Sequence, residues 1–378
     1  MVSVNGLFLL ALFLMGISGN LAWDQGDELW EKAMKQVRLS STCRKIESLV
    51  ERVFGKHATL VTPIIIGGVN VLYPIRIEGL SANVLVRLPC PDQAVFPAEK
   101  TLAEAATAAF IGQHTQLPVT KVSYHGVDAD VGPFMIIEDL GSRRGTGQAL
   151  EAPREDPKDT PVLQPDISEI KLRSLYAKMA RCMLQLAQPA FPRIGALVEI
   201  NPGSYGVLGR PITLNMNMTA DEWYVALAEM QMAALLFQHN DMVLSEDDCR
   251  TKYVSHQLFR RLAKQDNWSV YPKHAGARLP PPDCSGSFRL WSDDFRPANV
   301  LVDENDQVLG TIDWEFAYVG PTHIDESRLD TWISEMEEAE QDMNPGSLLL
   351  SAYMREGWAT GRFWLNYATR KSWTFDAV

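Results

Sequence analysis

Hydrophobic positions recur at helical spacing from Glu28 to Phe54, in two pieces parted around Leu39 to Thr42, with Ile46, Leu49, Val50 and Val53 along one face of the second. Between Thr59 and Leu88 the texture changes to β-branched runs, LVTPIII, VLYPIRI and NVLVRL. They are separated by Gly67-Gly68 and by Glu78-Gly79-Leu80-Ser81, the pattern of a small antiparallel sheet. An alanine-rich helix is predicted over Glu99 to His114 and is stopped by Leu117-Pro118, after which VTKVSYH and Pro133 to Glu138 read as strands. The run Gly141 to Pro165, crowded with glycine, proline and charge, reads as a linker between a β-rich front and a helical back. Beyond it, a capping box of Asp166 and Glu169 opens a helix to about Gln188, with Leu175, Met179, Met183 and Leu186 on one face as core filler. Further helices are predicted over Ala220 to Gln238, over Lys252 to Ala263 after the acidic turn Ser245 to Asp248, and over Ser327 to Ala339. Asn267 to Ser287 reads as loop. No internal repeat is present, which removes solenoids and propellers.

The chain has 378 residues, 46% of them hydrophobic and 22% charged, enough for two lobes and too ordinary for a disordered protein. A net charge of -12 argues against nucleic acid and anionic membranes as partners. Five dispersed cysteines without a C-x-x-C pair resemble neither a disulfide scaffold nor a zinc site and read as reduced thiols, and the seven histidines show no metal-ligand spacing. At the N-terminus, Leu7 to Ile17 is an apolar run of eleven, too short for stable membrane insertion but suited to the core of a secretory signal. The first basic residue is Lys32, so the basic flank of such a signal is missing. Two readings stay open: a signal peptide over residues 1–22, with Asn217 and Asn267 as glycosylation acceptors, or an extension ahead of a domain that starts near Asp24.

The chemistry concentrates in Phe288 to Ala317. Asn299-Val-Leu-Val and Val308-Leu-Gly-Thr-Ile read as two strands of a hairpin turning at Glu304-Asn305-Asp306, which sets Asn299 beside Asp313. An amide oxygen next to a carboxylate suits a hard cation such as Mg2+. Asp294, five residues before Asn299, faces the same space as a base for a hydroxyl nucleophile.

These residues resemble the aminoglycoside phosphotransferase or choline-kinase-like family, in particular its large fungal group. Its catalytic loop H-G-D-x-x-x-x-N is matched by Ser292 to Asn299, and its I-D-W-E segment by Ile312 to Glu315. The resemblance extends from about Trp23 onward, through Gly67-Gly68-x-Asn70, FMIIEDL and NMNMTADEWYVALAEM. It implies an α+β, two-lobed protein-kinase-like fold, with a β-rich N-lobe over residues 23–140 and a helical C-lobe over 141–378.

It further implies an ATP- and Mg2+-dependent kinase acting on a hydroxyl of a small molecule. Asp294 would be the catalytic base, and Asn299 and Asp313 the metal ligands. Gly67 and Gly68 would cover the phosphates, and Glu138 and Leu140 would meet adenine at the hinge. Arg87 stands where such enzymes usually carry a lysine, with Glu104 as its partner. For this pair a phosphate clamp and a solvated salt bridge are equally open. The acidic run Glu335 to Asp342 reads first as a solvated helix face, and more sharply as an attractor, beside Asp325, for a cationic acceptor. A need for ATP favours the cytoplasm.

Three departures matter: Ser292 for the family's histidine, Asp293 for its glycine, and a shortened segment after Asp313. They keep a second reading open, a weakened pseudokinase that binds nucleotide or a partner. A protein kinase is disfavoured because no A-P-E segment follows Asp313.

Overall fold

The computed structural model describes residues 21–91, 93–141, 143–154, 156, 159–162, 164–210, 219–237, 243, 245–264, 288–320, 329–343 and 349–359. The apolar run Leu7 to Ile17, the sequon asparagines Asn217 and Asn267, the stretch Asn267 to Ser287, Asp325 and the segment after Gly320 lie outside the described residues. Among the described residues no helix is long and apolar enough to cross a membrane.

Helices α1 (Leu21–Val37) and α2 (Ser40–Phe54) open the fold and part at Arg38 and Leu39, where the sequence pattern breaks. They lie behind an antiparallel sheet of β1 (Ala58–Leu60), β2 (Ile65–Ile66), β3 (Asn70–Ile77), β4 (Val84–Pro89), β5 (Val122–Asp128) and β6 (Gly132–Glu138). The strand order is β1-β3-β4-β6-β5, with β2 also on β3. Strand alternation sends Val71, Tyr73, Ile75 and Ile77 to the back, where Ile46, Leu49 and Val50 meet them in one buried cluster. Tyr73 Oη donates to the Val37 carbonyl at 2.8 Å, tying sheet to helix. Pro74 is tolerated inside β3 because its carbonyl accepts from Val61 N–H, so its own nitrogen faces the gap between β1 and β2 rather than β4.

Helix α3 (Pro97–His114) connects β4 to β5 and belongs to two cores. Ala105 packs under Met135 and Ile137 of the sheet, whereas Phe110 and Ile111 join the large C-terminal cluster. That second core is built by α4 (Glu169–Ala187), the short strand β8 (Ala190–Phe191), the hairpin β9 (Ala196–Asn201) and β10 (Ser204–Gly209), α5 (Ala220–Phe237) and α6 (Glu246–Ala263). It continues through β11 (Phe288–Ser292), the hairpin β12 (Val300–Val302) and β13 (Val308–Thr311), β14 (Ala317–Gly320), α7 (Leu329–Met343) and α8 (Leu350–Ala359). The α+β class expected from the sequence is what the structure shows.

Four local expectations are corrected. The run predicted as a linker is partly docked: Arg144–Gly145 form a strand, β7, on β12, and Gln148–Leu150 form a short 3-10 turn. Gly145 is there for lack of room, since a Cβ would lie 2.9 Å from the Ala298 backbone. Helix α4 is capped by Ser168, whose hydroxyl accepts from Lys171 N–H, rather than by Asp166. The acidic turn before Lys252 is the first turn of α6, capped by Ser245, where three carboxylates complement the helix dipole. The acids of α7 are no simple solvated face, because Glu335 and Glu340 are buried.

Candidate active site

The hairpin β12–β13 forms as expected, with Val300 opposite Thr311, and its turn is closed by Asp303, whose Oδ1 accepts from the N–H groups of Asn305 and Gln307 at 2.8 Å each. Asn299 ends a short 3-10 turn just before β12, and its carbonyl accepts from Ile312 N–H at 3.0 Å. That bond sets the loop Ser292 to Asn299 against the segment that carries Asp313. Asp313 has φ of 68°, a left-handed conformation unusual for a residue with a side chain and of the strained kind that collects at functional sites.

Asn299 Nδ2 donates to Asp294 twice, to its carbonyl at 2.8 Å and to Oδ2 at 3.0 Å. Arg296 Nε lies 3.0 Å from Asp294 Oδ1, so the carboxylate is oriented from both sides. The added acid of the loop, Asp293, accepts from Trp291 Nε1 at 2.9 Å. Ser292, at the position where the resembled catalytic loop carries a histidine, is buried and its hydroxyl finds no partner, so it does not brace the loop. Thr146 braces it instead, its hydroxyl donating to the Pro297 carbonyl at 2.7 Å and its N–H to Val300 O at 2.9 Å. Thr146 was hidden in the sequence by the loop-like composition around it.

Asp293, Asp294, Arg296, Asp313, Glu315 and Phe316 form one side of a cleft of about 540 Å³. Gly67, Gly68, Val69, Asn70, Leu72 and Arg87 form the other. Gly67 N–H bonds the Asn70 carbonyl at 2.8 Å, and a Cβ on Gly67 would press on that oxygen at 3.3 Å, which accounts for one glycine of the pair. Gly68 has open space around it.

Arg87 is 8% exposed. Its Nη2 lies 2.5 Å from Asp313, 3.1 Å from Glu104 and 3.6 Å from Glu315. The pair Arg87–Glu104 is therefore a buried contact rather than a solvated bridge. Burial works against the charge of Arg87, yet the three carboxylates hold its pKa above the ordinary value. The carboxyl of Glu104 is pushed up by burial to about 7, with Arg87 and Lys100 pulling the other way.

Sequence reading missed Lys100 and Glu315, which ion-pair with each other beside Arg87. A signal existed: Lys100 sits four residues before Glu104 on α3 and thus shares its face.

The structure brings Asp294, Asp313, Gly67, Gly68 and Arg87 to one cleft, and Asn299 lies behind its wall on Asp294. Glu104 stands behind Arg87, away from the cleft wall. Glu138 and Leu140, at the end of β6, do not line this cleft. Glu138 N–H already bonds Lys121 O at 3.0 Å, and Leu140 O accepts from Arg143 Nε at 3.0 Å.

Among the described residues no group of three or more His, Cys, Asp or Glu side chains is placed to hold a metal ion. Magnesium asks for less, because it binds through one or two protein oxygens and keeps water and phosphate oxygens for the rest. Asn299 turns its Nδ2 to Asp294 and so keeps Oδ1 as a donor oxygen, and Asp313 uses Oδ1 on Arg87. An amide oxygen and a carboxylate are donor types that suit Mg2+, with the Asp313 carboxylate shared with Arg87.

Residues 221–364 match the phosphotransferase enzyme family, APH. The match contains both the catalytic loop and the I-D-W-E segment, so the resemblance to phosphotransferases read from those residues holds over that span. No curated protein matches the chain. Among solved structures, a mutant of aminoglycoside 2'-phosphotransferase-IIIa in complex with GDP is 13% identical, over 87% of this chain and 90% of that one, with a TM-score of 0.47. A putative aminoglycoside phosphotransferase from Ralstonia eutropha is 15% identical, over 84% and 79%, with a TM-score of 0.44. An ethanolamine kinase from Plasmodium vivax is 12% identical, over 84% and 72%, with a TM-score of 0.39.

Proposed function

We propose that this APH-like protein transfers the γ-phosphoryl group of ATP to a hydroxyl of a small molecule. Residues 23–140 would serve as the nucleotide-covering lobe and 141–378 as the substrate lobe. The observation that carries the reading is the convergence of Asp294 and Asp313 on one cleft roofed by Gly67 and Gly68, with the buried Asn299 holding Asp294 from behind. Asp294 orients the acceptor hydroxyl and takes its proton as the oxygen forms its bond to phosphorus and the bond to the ADP oxygen breaks. Asn299 and Arg296 hold that carboxylate in one direction, so little reorganisation is needed at the moment of transfer. The Gly68 N–H, rather than that of Gly67, which is bonded to Asn70, and the Arg87 guanidinium would meet the phosphates. Mg2+, held by Asn299 and Asp313, would neutralise charge on the phosphate oxygens. Four carboxylates on one cleft wall, Asp293, Asp294, Asp313 and Glu315, favour a cationic acceptor. The acids of α7 play no part in this, because none of them lines the cleft.

Two observations favour the second reading, a nucleotide-binding pseudokinase. Arg87 rests on the proposed metal ligand at 2.5 Å, and the Ser292 hydroxyl leaves the loop without its usual brace. One experiment separates them. Release of ADP with MgATP is measured against a panel of small amines bearing hydroxyls, for the wild type and for Asp294→Asn. Turnover that falls by about 10²- to 10⁴-fold in the variant supports the kinase. Nucleotide binding without turnover in either protein supports the pseudokinase.

A further inference from the structure

Three polar side chains that the transfer chemistry leaves unused join the glycine loop, helix α3 and the Asp313 segment. Asn70 opens β3 directly behind Gly67 and Gly68. Its Nδ2 donates to Glu315 Oε2 at 2.7 Å, and its Oδ1 accepts from Lys100 Nζ at 2.9 Å. Lys100, in the first turn of α3, closes the triangle by its ion pair to Glu315. Asn70 is 8% exposed, and the side chains of Lys100 and Glu315 are 13% and 3% exposed. An amide alone serves at position 70 in this arrangement, because one end must donate to a carboxylate while the other accepts from an ammonium.

The backbone makes the triangle consequential. Gly67 N–H is bound to the carbonyl of Asn70, and Cys90 N–H to that of Val69, so the loop turns on the residue whose side chain is held by Glu315. Glu315 in turn lies two residues past Asp313. A displacement of Asn70 therefore shifts the loop relative to Asp313. Removing one partner would leave a buried charge short of its compensation, which makes the contact costly to open.

We propose that Asn70, Lys100 and Glu315 form a latch that docks the glycine loop onto the segment bearing Asp313, which makes them positioning residues for the two halves of the cleft. The latch rests on the phosphotransfer reading for its effect on nucleotide, though not for its effect on the loop. The test is amide hydrogen exchange on the full chain for the wild type, Asn70→Ala, Lys100→Met and Glu315→Gln, beside titrations with MgADP. Exchange at Gly67 and Cys90, whose N–H groups are bonded to the loop carbonyls of Asn70 and Val69, should quicken roughly tenfold or more on loss of a charge-assisted hydrogen bond, while α4 and α5 keep wild-type rates. MgADP affinity should fall in the same variants.

Wild-type exchange at the loop in Asn70→Ala, which removes no charge and spares the fold even where Glu315→Gln does not, would overturn the latch. A loosened loop with unaltered MgADP affinity would overturn its positioning role. A loosened loop in a protein whose wild type ignores MgADP would leave the docking in place and sink the phosphotransfer reading instead.

Discussion

On helix α7 the two buried acids each have a fixed partner, whereas in the cleft three carboxylates share one guanidinium nitrogen. Arg173 Nε holds Glu335 at 2.6 Å, and Ser351 gives Glu340 both its N–H, at 2.8 Å, and its hydroxyl, at 2.5 Å. In the cleft, Glu104, Asp313 and Glu315 all lean on Nη2 of Arg87, whose Nε is buried without a partner, and Lys100 is the second cation in reach. Arg173 also reaches Glu169 and Glu338, but both of those are exposed to water, so its one buried pair gains nothing by rearranging. An over-subscribed cation leaves negative charge in a poorly solvated place, where an arriving cation is favoured and a proton is the nearest substitute. Both regions are rich in acid along the chain, and what separates structure from chemistry is how many poorly solvated carboxylates each cation must serve: one for Arg173, three for Arg87.

The comparison predicts opposite mutational signatures. Asp313→Ala should abolish the magnesium-dependent thermal shift with nucleotide, which for the wild type amounts to about 2.7 kcal/mol at a hundredfold excess over Kd. Its melting point without ligand should fall by less than that of Glu340→Ala, because Arg87 keeps two other carboxylates and the cost is confined to alanine's poorer fit to the left-handed backbone at 313. Glu340→Ala should do the reverse. It strands the buried Ser351 N–H and hydroxyl and costs about 1–3 kcal/mol in urea denaturation, with the nucleotide shift intact. A large loss of stability in the first variant, or a lost nucleotide shift in the second, would erase the distinction.

Gly145→Ala tests a third kind of contact, steric rather than ionic. The added methyl would sit 2.9 Å from the Ala298 backbone, so β7 must lift from the catalytic loop. The expected outcome is a drop in turnover with the melting point lowered by less than in Glu340→Ala, read from kinetics and thermal melts on the same preparation.

How much of this was legible in the sequence follows from the range of the interactions involved. Strands β3, β4 and β6 and the hairpin β12–β13 announce themselves through alternation and turn residues, both local signals. Asp294, Asn299 and Asp313 lie in one stretch whose folding is equally local. The docked strand at Arg144 and Gly145 was not legible, because a glycine chosen for close approach looks the same as a glycine chosen for freedom. Asn70, Lys100 and Glu315 were not legible as a group, since their partnership depends on bringing three distant segments together. The spacing that places Lys100 and Glu104 on one face of α3 was visible, but it carries no hint that Arg87 and Glu315 wait on the other side.

The smallest effect is the most direct probe of crowding in the cleft. Burial raises the Glu104 carboxyl from its ordinary 4.5 to about 7, so between those values the folded protein holds a proton that the unfolded chain has released. The stability this group contributes is full below about 4.5 and is lost as pH climbs through about 7. Glu104→Gln has no such proton to lose. Its melting temperature minus that of the wild type should therefore rise from acid pH up to about neutrality and level off above it, whatever the constant offset from the altered contact with Arg87. Melts across that range, without nucleotide, give the slope. A flat difference would mean that Glu104 stays ionised throughout, that Arg87 and Lys100 suffice for all three carboxylates, and that the cleft is paired as tightly as α7.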